Sequence, residues 1–528
     1  MSIEAIWLLL LGLSLLLAIM SGMPVMLAIS GVPVLIGFVA AAFGHFDLSF
    51  FGAFPQRVFG IMNNPLLIAV PLFVLMGILL ERSKVAERML LIMASFFGGS
   101  RSGLAYSVLI VSALIAASTG IIGATIVMLG MISLPALLKA GVSVRLSSGL
   151  ICASGTLGQI IPPSIVLILL GDQISNAYIE AQQNVGNFAP DPVSVGDLFA
   201  GALIPGLLLV ALYAVYVFVH GKFIAEKSST EEIQQQQSMA EPVSYAAIAT
   251  TFLPPILLIV AVLGSILFGV ATPTEAAAVG VGGTLLIAAA NSPNAKRATK
   301  LFALLGALAA FSLTLLVSMG LSRIDFSTAK IEFATGSVIA LLLSVCLLAA
   351  LLNSAWRLYK DAVLSSAIKH SISVSGMVFA IIIAASMLSL VFRGFDGDEL
   401  VEQLLGNIPG DKWGALLAVM LVIFLLGFIL EFIEILFIVI PVVGPVLLAM
   451  DFHPVWFAIM IAINLQTSFL TPPFGFALFY FRSVAPASIS TVDIYKSVVP
   501  FVLIQILAMF ILVAFPSLVT WLPDQIFR

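Results

Sequence analysis

Charged residues are scarce in this sequence. Only 9% of the 528 residues are Asp, Glu, Lys or Arg, whereas a soluble domain averages about 25%. Hydrophobic residues make up 61%, in runs near the ~20 residues that a helix needs to cross the hydrocarbon core. This composition excludes a soluble globule and predicts a helical membrane protein with many crossings. The net charge of −4, with no basic patch of more than a few residues, excludes a nucleic-acid binder.

Residues typical of enzyme sites are few as well. The only two cysteines, Cys152 and Cys346, lie in apolar segments, which argues against a disulfide scaffold. The four histidines form no metal-ligand spacing, and the phosphate-binding pattern GxxxxGK followed by Ser or Thr is absent. The sequence therefore predicts a protein that is not an enzyme, carries no cofactor and does not use ATP directly.

Twelve apolar stretches have about the length of one membrane crossing. They are 3–20, 24–43, 66–80, 147–170, 199–219, 246–269, 276–290, 301–320, 336–352, 371–392, 455–481 and 498–520. Two further stretches, 104–138 and 413–450, are too long for a single crossing.

Basic residues indicate how the long stretches are arranged, because cytoplasmic loops collect Lys and Arg. Arg101 precedes 104–138, and Lys139 and Arg145 follow it, so this stretch enters and leaves on the cytoplasmic side as a re-entrant hairpin. Loop 171–198 has four acidic residues and no basic one, and is predicted to lie outside. Loop 393–412 is also assigned outside, so a hairpin at 413–450 would open from the outer face.

The chain repeats itself. Pro135 and the Pro162-Pro163 pair are 27 residues apart, as are Pro445 and the Pro472-Pro473 pair, and one offset of 310 residues relates both. The same offset superposes the two hairpins, whose predicted orientations are opposite. An inverted-topology repeat with broken helices is typical of secondary transporters.

The predicted fold is therefore an all-α polytopic membrane protein with about 12 transmembrane helices and two re-entrant helical hairpins in an inverted-topology repeat. Five segments follow from this organisation. They are N-terminal scaffold helices (1–65), repeat 1 with hairpin 104–138 (66–220), connecting scaffold helices (221–300), a two-helix insertion (301–360), and repeat 2 with hairpin 413–450 (361–528).

The first hairpin contains a break at Ser118 to Thr125, a segment with two glycines and three hydroxyl residues. Non-helical backbone inside a membrane is tolerated only where it is buried in protein or lines a cavity. Its free carbonyls and hydroxyls are suited to Na⁺, and helix N-termini are suited to a carboxylate. The alternative is a simple helix–helix contact, since small residues line such interfaces.

Two Pro-Pro pairs interrupt helices near the middle of the membrane, because proline removes an amide donor. Each follows a polar cluster: Ser154 to Gln159 precedes Pro162, and Asn464 to Thr471 precedes Pro472. Proline kinks alone are common in membrane helices, so it is the clustered polar residues that indicate a site.

Glu431 and Glu434 lie in the break of the second hairpin, three residues apart on one helix face. An ionisable residue within a membrane indicates function by default. The pair is predicted to complete a cation site or to cap a helix. A proton relay or a partner's basic residue are further alternatives.

Five motifs, in order along the chain, resemble the large permease subunit of tripartite ATP-independent periplasmic (TRAP) transporters: Ser21 to Val25, Asn64 to Gly77, Gly155 to Ile165, Gly201 to Gly206, and Thr272 to Ala278. The resemblance implies a Na⁺-driven importer of carboxylates in the bacterial inner membrane, working by an elevator mechanism. It also implies two partners, a small four-helix permease subunit and a periplasmic substrate-binding protein.

Carried over by motif, the site falls on the two hairpin tips and on the polar clusters before the Pro-Pro pairs. The cation-binding residues implied are Ser118, Thr119, Gly120, Gly155, Thr156, Glu431, Asn464 and Thr467. The substrate-binding residues implied are Gly123, Thr125, Ser154, Pro162, Glu434, Gln466, Ser468 and Thr471.

The sequence departs from the family in two places. The second hairpin usually reads Leu-Asp followed by small or hydroxyl residues, but here it reads Leu430 to Glu434, with two acids. With Asn464 to Phe476, this pattern is similar to the mannitol/chloroaromatic branch and to systems for 2-oxo acids. Residues 301–360 add two helices that the family usually lacks.

A stand-alone H⁺- or Na⁺-coupled carrier of organic anions, needing no binding protein, is the alternative function.

Overall fold

The computed structural model describes residues 2–96, 101–120, 122–221, 244–292, 295–319 and 335–527, and within these ranges the protein is helical without a β-strand. The helices of the first part are α1 (Ile3–Met20), α2 (Val25–Ala42), α3 (Phe54–Met62), α4 (Ala69–Arg82), α5 (Val85–Phe96), α6 (Arg101–Thr119), α7 (Ile122–Lys139), α8 (Val144–Thr156), α9 (Ile165–Asn184) and α10 (Val195–Val219).

Twelve further helices complete the described chain. They are α11 (Tyr245–Leu267), α12 (Pro273–Asn291), α13 (Arg297–Ser318), α14 (Thr335–Lys360), α15 (Val363–Gly394), α16 (Gly397–Gly406), α17 (Asp411–Leu426), α18 (Phe432–Ala449), α19 (Pro454–Leu470), α20 (Phe476–Val484), α21 (Thr491–Ala514) and α22 (Ser517–Phe527). The all-α membrane class predicted from the sequence is confirmed.

Eleven of the described helices are long and apolar enough to cross a membrane, compared with about 12 predicted crossings. Three predicted crossings, 66–80, 147–170 and 455–481, do not form single long helices, because the first is short and the other two are broken. Two of the eleven are hairpin arms, α7 and α18, which the sequence had assigned to re-entrant stretches.

The last predicted crossing, 498–520, is displaced. Ser490 caps α21 by accepting a hydrogen bond from the amide of Asp493 at 3.1 Å, so the helix begins at Thr491. It ends at Ala514, two residues before Pro516, because proline disfavours the helical conformation of the residue before it.

Both long apolar stretches fold as two helices joined by a break. In the first hairpin, α6 and α7 meet at Gly120, whose φ of 60° lies in the left-handed region that glycine adopts without steric cost. In the second hairpin, α17 and α18 are joined through the turn residues 427–431. The helix–break–helix form of 104–138 and 413–450 is therefore as the sequence predicts.

The helix boundaries repeat with the offset of 310 residues seen in the sequence. The first hairpin's second arm, Ile122–Lys139, corresponds to Phe432–Ala449, and the start of α8 at Val144 corresponds to the start of α19 at Pro454. Pro162-Pro163 and Pro472-Pro473 lie in breaks, between α8 and α9 and between α19 and α20. We call these helix pairs the first and second broken helices.

The two halves are packed into each other rather than side by side. Helix α18 of the second hairpin packs along α9 of the first broken helix, and α7 of the first hairpin packs along α20 of the second. One apolar core of buried residues runs through both halves. A movement of either hairpin must therefore involve a broken helix from the other half.

Polar contacts at the two ends of the helices agree with the sides inferred from charge. At the end assigned to the outside, the Arg393 guanidinium binds Glu180 at 2.8 Å and Asp398 at 3.3 Å. At the opposite end, hydrogen bonds join segments assigned to the cytoplasm: Arg82 to Ser366, Arg88 to Asn291, and Ser292 to Asp361.

Helices α8 and α21 approach each other closely at Gly149, and this contact offers a test of the packing. A β-carbon added to Gly149 of α8 would lie 2.1 Å from the Ser497 carbonyl oxygen of α21. Because that atom is backbone, we expect Gly149→Ala to destabilise the protein by about 1–3 kcal/mol, the usual cost of overpacking. Gly376→Ala is the matched control, since Gly376 is also helical and has open space around it. Thermal denaturation of the detergent-solubilised proteins should show a lower midpoint for Gly149→Ala only; equal midpoints would contradict the α8–α21 packing.

Candidate functional site

The two halves touch through a pair of repeat-related side chains. The Gln466 amide nitrogen donates a hydrogen bond to the Thr156 hydroxyl at 3.1 Å, and the two residues are separated by the repeat offset of 310. Both side chains are completely buried. Residues related by a two-fold pseudosymmetry can contact each other only near the symmetry axis, so this hydrogen bond locates the axis between the two broken helices.

The first broken helix surrounds its break with buried polar groups. Ser154, Thr156 and Gln159 are fully buried at the end of α8 and in the 3₁₀ turn Leu157–Gln159. Ser164 follows the break, donates to the Gln159 carbonyl at 2.8 Å and caps the N-terminus of α9. Within the described part of the chain, neither polar atom of the Gln159 amide group has a hydrogen-bond partner. Pro162 is buried in the break itself.

The second broken helix is bound to the first arm of its own hairpin. Asn464 donates to the carbonyl of Met420 at 2.7 Å, and Ser468 donates to the carbonyl of Phe424 at 2.6 Å. These two contacts, one helical turn apart, fix α19 along α17. The hydroxyls of Thr467 and Thr471 donate instead to carbonyls one turn earlier in their own segment, which leaves each oxygen able to accept or ligate.

The tip of the first hairpin lies against the first broken helix. A β-carbon at Gly120 would be 3.3 Å from the backbone nitrogen of Ile165, at the start of α9. Nearby, α7 approaches α8 so closely that a β-carbon at Gly155 would meet the Ile126 side chain at 2.4 Å. The N-termini of α7 and α9 are thus brought close together. Thr125, in the first turn of α7, is buried.

Two predicted cation ligands cannot be placed in this geometry. Ser118 and Thr119 end α6, and their side chains lie outside the described residues, as does Ile121. Their assignment as cation ligands stays a prediction.

Tyr480 of α20 connects the two hairpins. Its ring lies over Gly123 of the first hairpin, where a β-carbon would be 2.8 Å from the ring. Its hydroxyl neighbours the carboxylate of Glu431 in the second hairpin. The two hairpins, whose breaks are about 310 residues apart in the sequence, therefore both contact the side chain of Tyr480.

Glu434 has a structural contact. Its carboxylate accepts a hydrogen bond from the backbone amide of Glu431 at 2.9 Å, at the N-terminus of α18. This is the capping alternative considered for the pair, since an acid three residues into a helix often binds the amide of the N-cap residue. Glu434 is buried, whereas Glu431 is half-buried and faces Tyr480.

The arrangement offers oxygen ligands in a buried setting. Buried hydroxyls, amide oxygens and the carbonyls of interrupted helices occur in both broken helices, and oxygen groups of this kind suit a hard cation. No group of three or more His, Cys, Asp or Glu side chains that could hold a metal ion occurs within the described ranges. The groups present therefore suit ion and anion binding better than transition-metal chemistry.

Sequence reasoning missed two residues of this region. Gln159 lies in the Gly155 to Ile165 motif but is not among the predicted site residues. An amide side chain just before a Pro-Pro break could have indicated it. Tyr480 gave no signal, because nothing in the sequence indicates that α20 packs beside both hairpins.

Comparisons with known proteins identify the family. The family model described as the tripartite ATP-independent periplasmic transporter, DctM component, matches residues 10–329 and 291–518. The C4-dicarboxylate TRAP transporter large permease protein DctM of Vibrio cholerae is 26% identical over 462 residues, 87% of this chain and 85% of that protein.

Relatives that are named for other substrates have a similar identity to this chain. The ectoine TRAP transporter large permease protein TeaC of Halomonas elongata is 26% identical over 507 residues, covering 95% of this chain and 97% of that protein. The isethionate TRAP transporter permease protein DctMQ of Oleidesulfovibrio alaskensis is 24% identical over 95% of this chain and 65% of that protein.

These matches span nearly the whole chain, and the apolar helices have the lengths that a multi-pass inner-membrane protein requires. The relatives are transporter permeases, so the prediction that the protein is not an enzyme is confirmed. Large permeases of this kind work with a small permease subunit and a periplasmic binding protein. The chain belongs to the DctM family of TRAP transporter large permeases.

Proposed function

We propose that this permease imports small organic acids by Na⁺ symport, with an elevator-type movement of its hairpins. The observation that supports this proposal most directly is the hydrogen bond between Thr156 and Gln466, which occupy equivalent positions in the two repeats. It brings the polar ends of the two broken helices together beside two hairpin breaks, where an ion and a substrate could be held jointly.

The chemistry of the breaks supports Na⁺ as the coupling ion. Thr156 and Thr467 are fully buried, and each donates its hydroxyl proton to a carbonyl of its own helix. Both lone pairs of the Thr467 oxygen therefore remain for a cation, and the Thr156 oxygen keeps one beside the hydrogen bond that it accepts from Gln466. With the carbonyl ends of interrupted helices, these oxygens form a ligand set suited to Na⁺. Glu431, at the break of the second hairpin, would supply a negative charge for the cation.

A difference between the hairpins supports a separate place for the carboxylate. The first turn of α18 contains Glu434, whose carboxylate occupies that helix N-terminus. The first turn of α7 contains no acidic residue, and the start of α9 lies beside it. Helix N-termini favour anions, so we assign the substrate carboxylate to the α7 side, near Gly123 and Thr125.

The unequal exposure of the two breaks supports alternating access. Pro162 and Ser164 are buried in the first break, whereas Phe474 in the second is 68% exposed. In an inverted repeat, one half would be covered while its mate is open, and the movement would exchange them.

The substrate class is proposed from the family and from motif similarity. Relatives of nearly equal identity are named for C4-dicarboxylate, ectoine and isethionate transport, so identity alone does not select a substrate. The Leu430 to Glu434 pattern favours 2-oxo acids, and the relatives named for C4-dicarboxylate transport make dicarboxylates the other candidate. A small four-helix subunit and a periplasmic binding protein would complete the system.

Reconstituted transport tests the whole proposal. The permease is reconstituted in proteoliposomes with a small subunit, a binding protein is supplied from the same organism, and uptake of labelled 2-oxo acids and C4-dicarboxylates is measured. We expect uptake to require both an inward Na⁺ gradient and the binding protein. Uptake without the binding protein would favour the stand-alone carrier, and uptake driven only by a proton gradient would exclude Na⁺ symport.

Threonine-to-valine changes test the cation ligands. Thr467→Val removes one oxygen without changing the side-chain volume appreciably, so we expect the Na⁺ concentration for half-maximal uptake to rise about tenfold, or ~1.4 kcal/mol. Thr284→Val is the matched control, because Thr284 is also fully buried and donates to the carbonyl four residues earlier in its helix. If both changes had an equal effect, Thr467 would not be a cation ligand.

Substitutions of the two glutamates separate a charge role from capping. Glu434→Gln keeps an acceptor for the Glu431 amide, so we expect normal uptake and an unchanged melting midpoint. Glu434→Leu removes the cap, at a cost of about 0.5–2 kcal/mol in stability. Glu431→Gln should weaken Na⁺ activation at unchanged stability. Loss of uptake in Glu434→Gln with a normal midpoint would instead show that the Glu434 charge is needed.

A further inference from the structure

A polar cavity lies between the two helices of the insertion, away from the hairpins. It has a volume of about 220 Å³ and is lined by Thr299 of α13, by Asn353, Trp356, Arg357 and Lys360 of α14, and by Asp361. A cavity of only about 10–15 Å³ is enough to hold one water molecule. The space is therefore sufficient for a group much larger than water.

Basic residues are concentrated around this cavity. Lys296, Arg297 and Lys300 are exposed at the start of α13, and they add to Arg357 and Lys360 of the lining. The one acidic lining residue, Asp361, accepts a hydrogen bond from the Ser292 hydroxyl at 2.6 Å. The lining thus contains two basic residues and one acid, and three more basic residues lie within three positions of the lining residue Thr299 in the sequence, which makes this end of the insertion positively charged.

The arginine and the tryptophan of the lining are placed to receive a ligand. The Nε atom of Arg357 is buried and has no hydrogen-bond partner within the described ranges. The Lys360 ammonium lies 5.1 Å from the centre of the Trp356 ring, and Trp356 is 62% exposed. Tryptophan is enriched at the membrane–water interface, where its ring meets the headgroups.

Beyond the cavity, the same helices are exposed and apolar. Leu304 and Leu308 of α13 and Leu348 and Leu352 of α14 each expose more than half of their surface. A molecule bound at the basic residues would thus have hydrocarbon-compatible protein surface directly beside it.

We propose that this cavity binds the headgroup of an anionic phospholipid. The phosphate would be held by Arg357 and Lys360, and the acyl chains would lie along the leucines of α13 and α14. Basic pockets between helices on the cytoplasmic side bind anionic headgroups by this combination of charge and apolar surface. The site is independent of the coupling ion and gives the insertion a role in anchoring the permease in its bilayer.

Native mass spectrometry of the full-length permease in neutral detergent tests the proposal. Phosphatidylglycerol and phosphatidylcholine with identical acyl chains are titrated, and inorganic phosphate and glycerol phosphate serve as headgroup-only probes. We expect phosphatidylglycerol to bind in clear preference to phosphatidylcholine. In Arg357→Gln/Lys360→Gln, its affinity should fall about 25-fold, or about fivefold for each charge removed.

Two further variants control for folding and for general charge. Lys139→Gln removes an exposed lysine from the same assigned side, at the end of α7, and should leave the lipid preference unchanged. Arg357→Lys keeps the charge and should retain most of the preference, even if the double variant folds poorly. Equal binding of the two lipids, an equal loss in Lys139→Gln, or phosphate competing as strongly as the whole lipid would each overturn the lipid assignment.

Discussion

Inside a membrane, every backbone polar group needs a partner within the protein, and this requirement governs the breaks in the helices. The carbonyls freed at the Pro162-Pro163 and Pro472-Pro473 breaks accept hydrogen bonds from hydroxyls: Ser164 donates to the carbonyl of Gln159, and Tyr495 donates to the carbonyl of Pro473. The amide at the second hairpin break is bound by Glu434. Polar side chains near the breaks therefore supply the hydrogen bonds that make the breaks tolerable.

The inverted repeat gives the two halves one backbone plan and leaves their side chains to differ. Thr156 and Gln466 occupy matching positions and bind each other, although one is a hydroxyl and the other an amide. The two hairpins also differ, because one helix N-terminus contains its own acidic cap and the other contains none. The two halves therefore share a backbone plan but present different polar groups at their helix breaks.

Much of the fold could be predicted from the sequence, because lipid imposes strong rules on length and charge. The hairpins, their breaks and the offset of 310 residues followed from apolar run length, basic flanks and the Pro-Pro spacing. The number of unbroken crossings could not be predicted in this way, since hydropathy does not distinguish a hairpin arm such as α7 from a full crossing. The division into five segments stays a prediction, and the shared apolar core shows how closely the halves interlock.

The sequence by itself determined where the helices break and predicted on which side the loops lie, because both depend on local composition and charge. Only the tertiary structure decided which breaks meet. It brought Gln466 to Thr156, placed Tyr480 beside both Gly123 and Glu431, used Glu434 as a cap, and enclosed a basic cavity between α13 and α14. The physical reason is that these contacts join residues from different helices, and their distances depend on how the helices pack rather than on any local pattern.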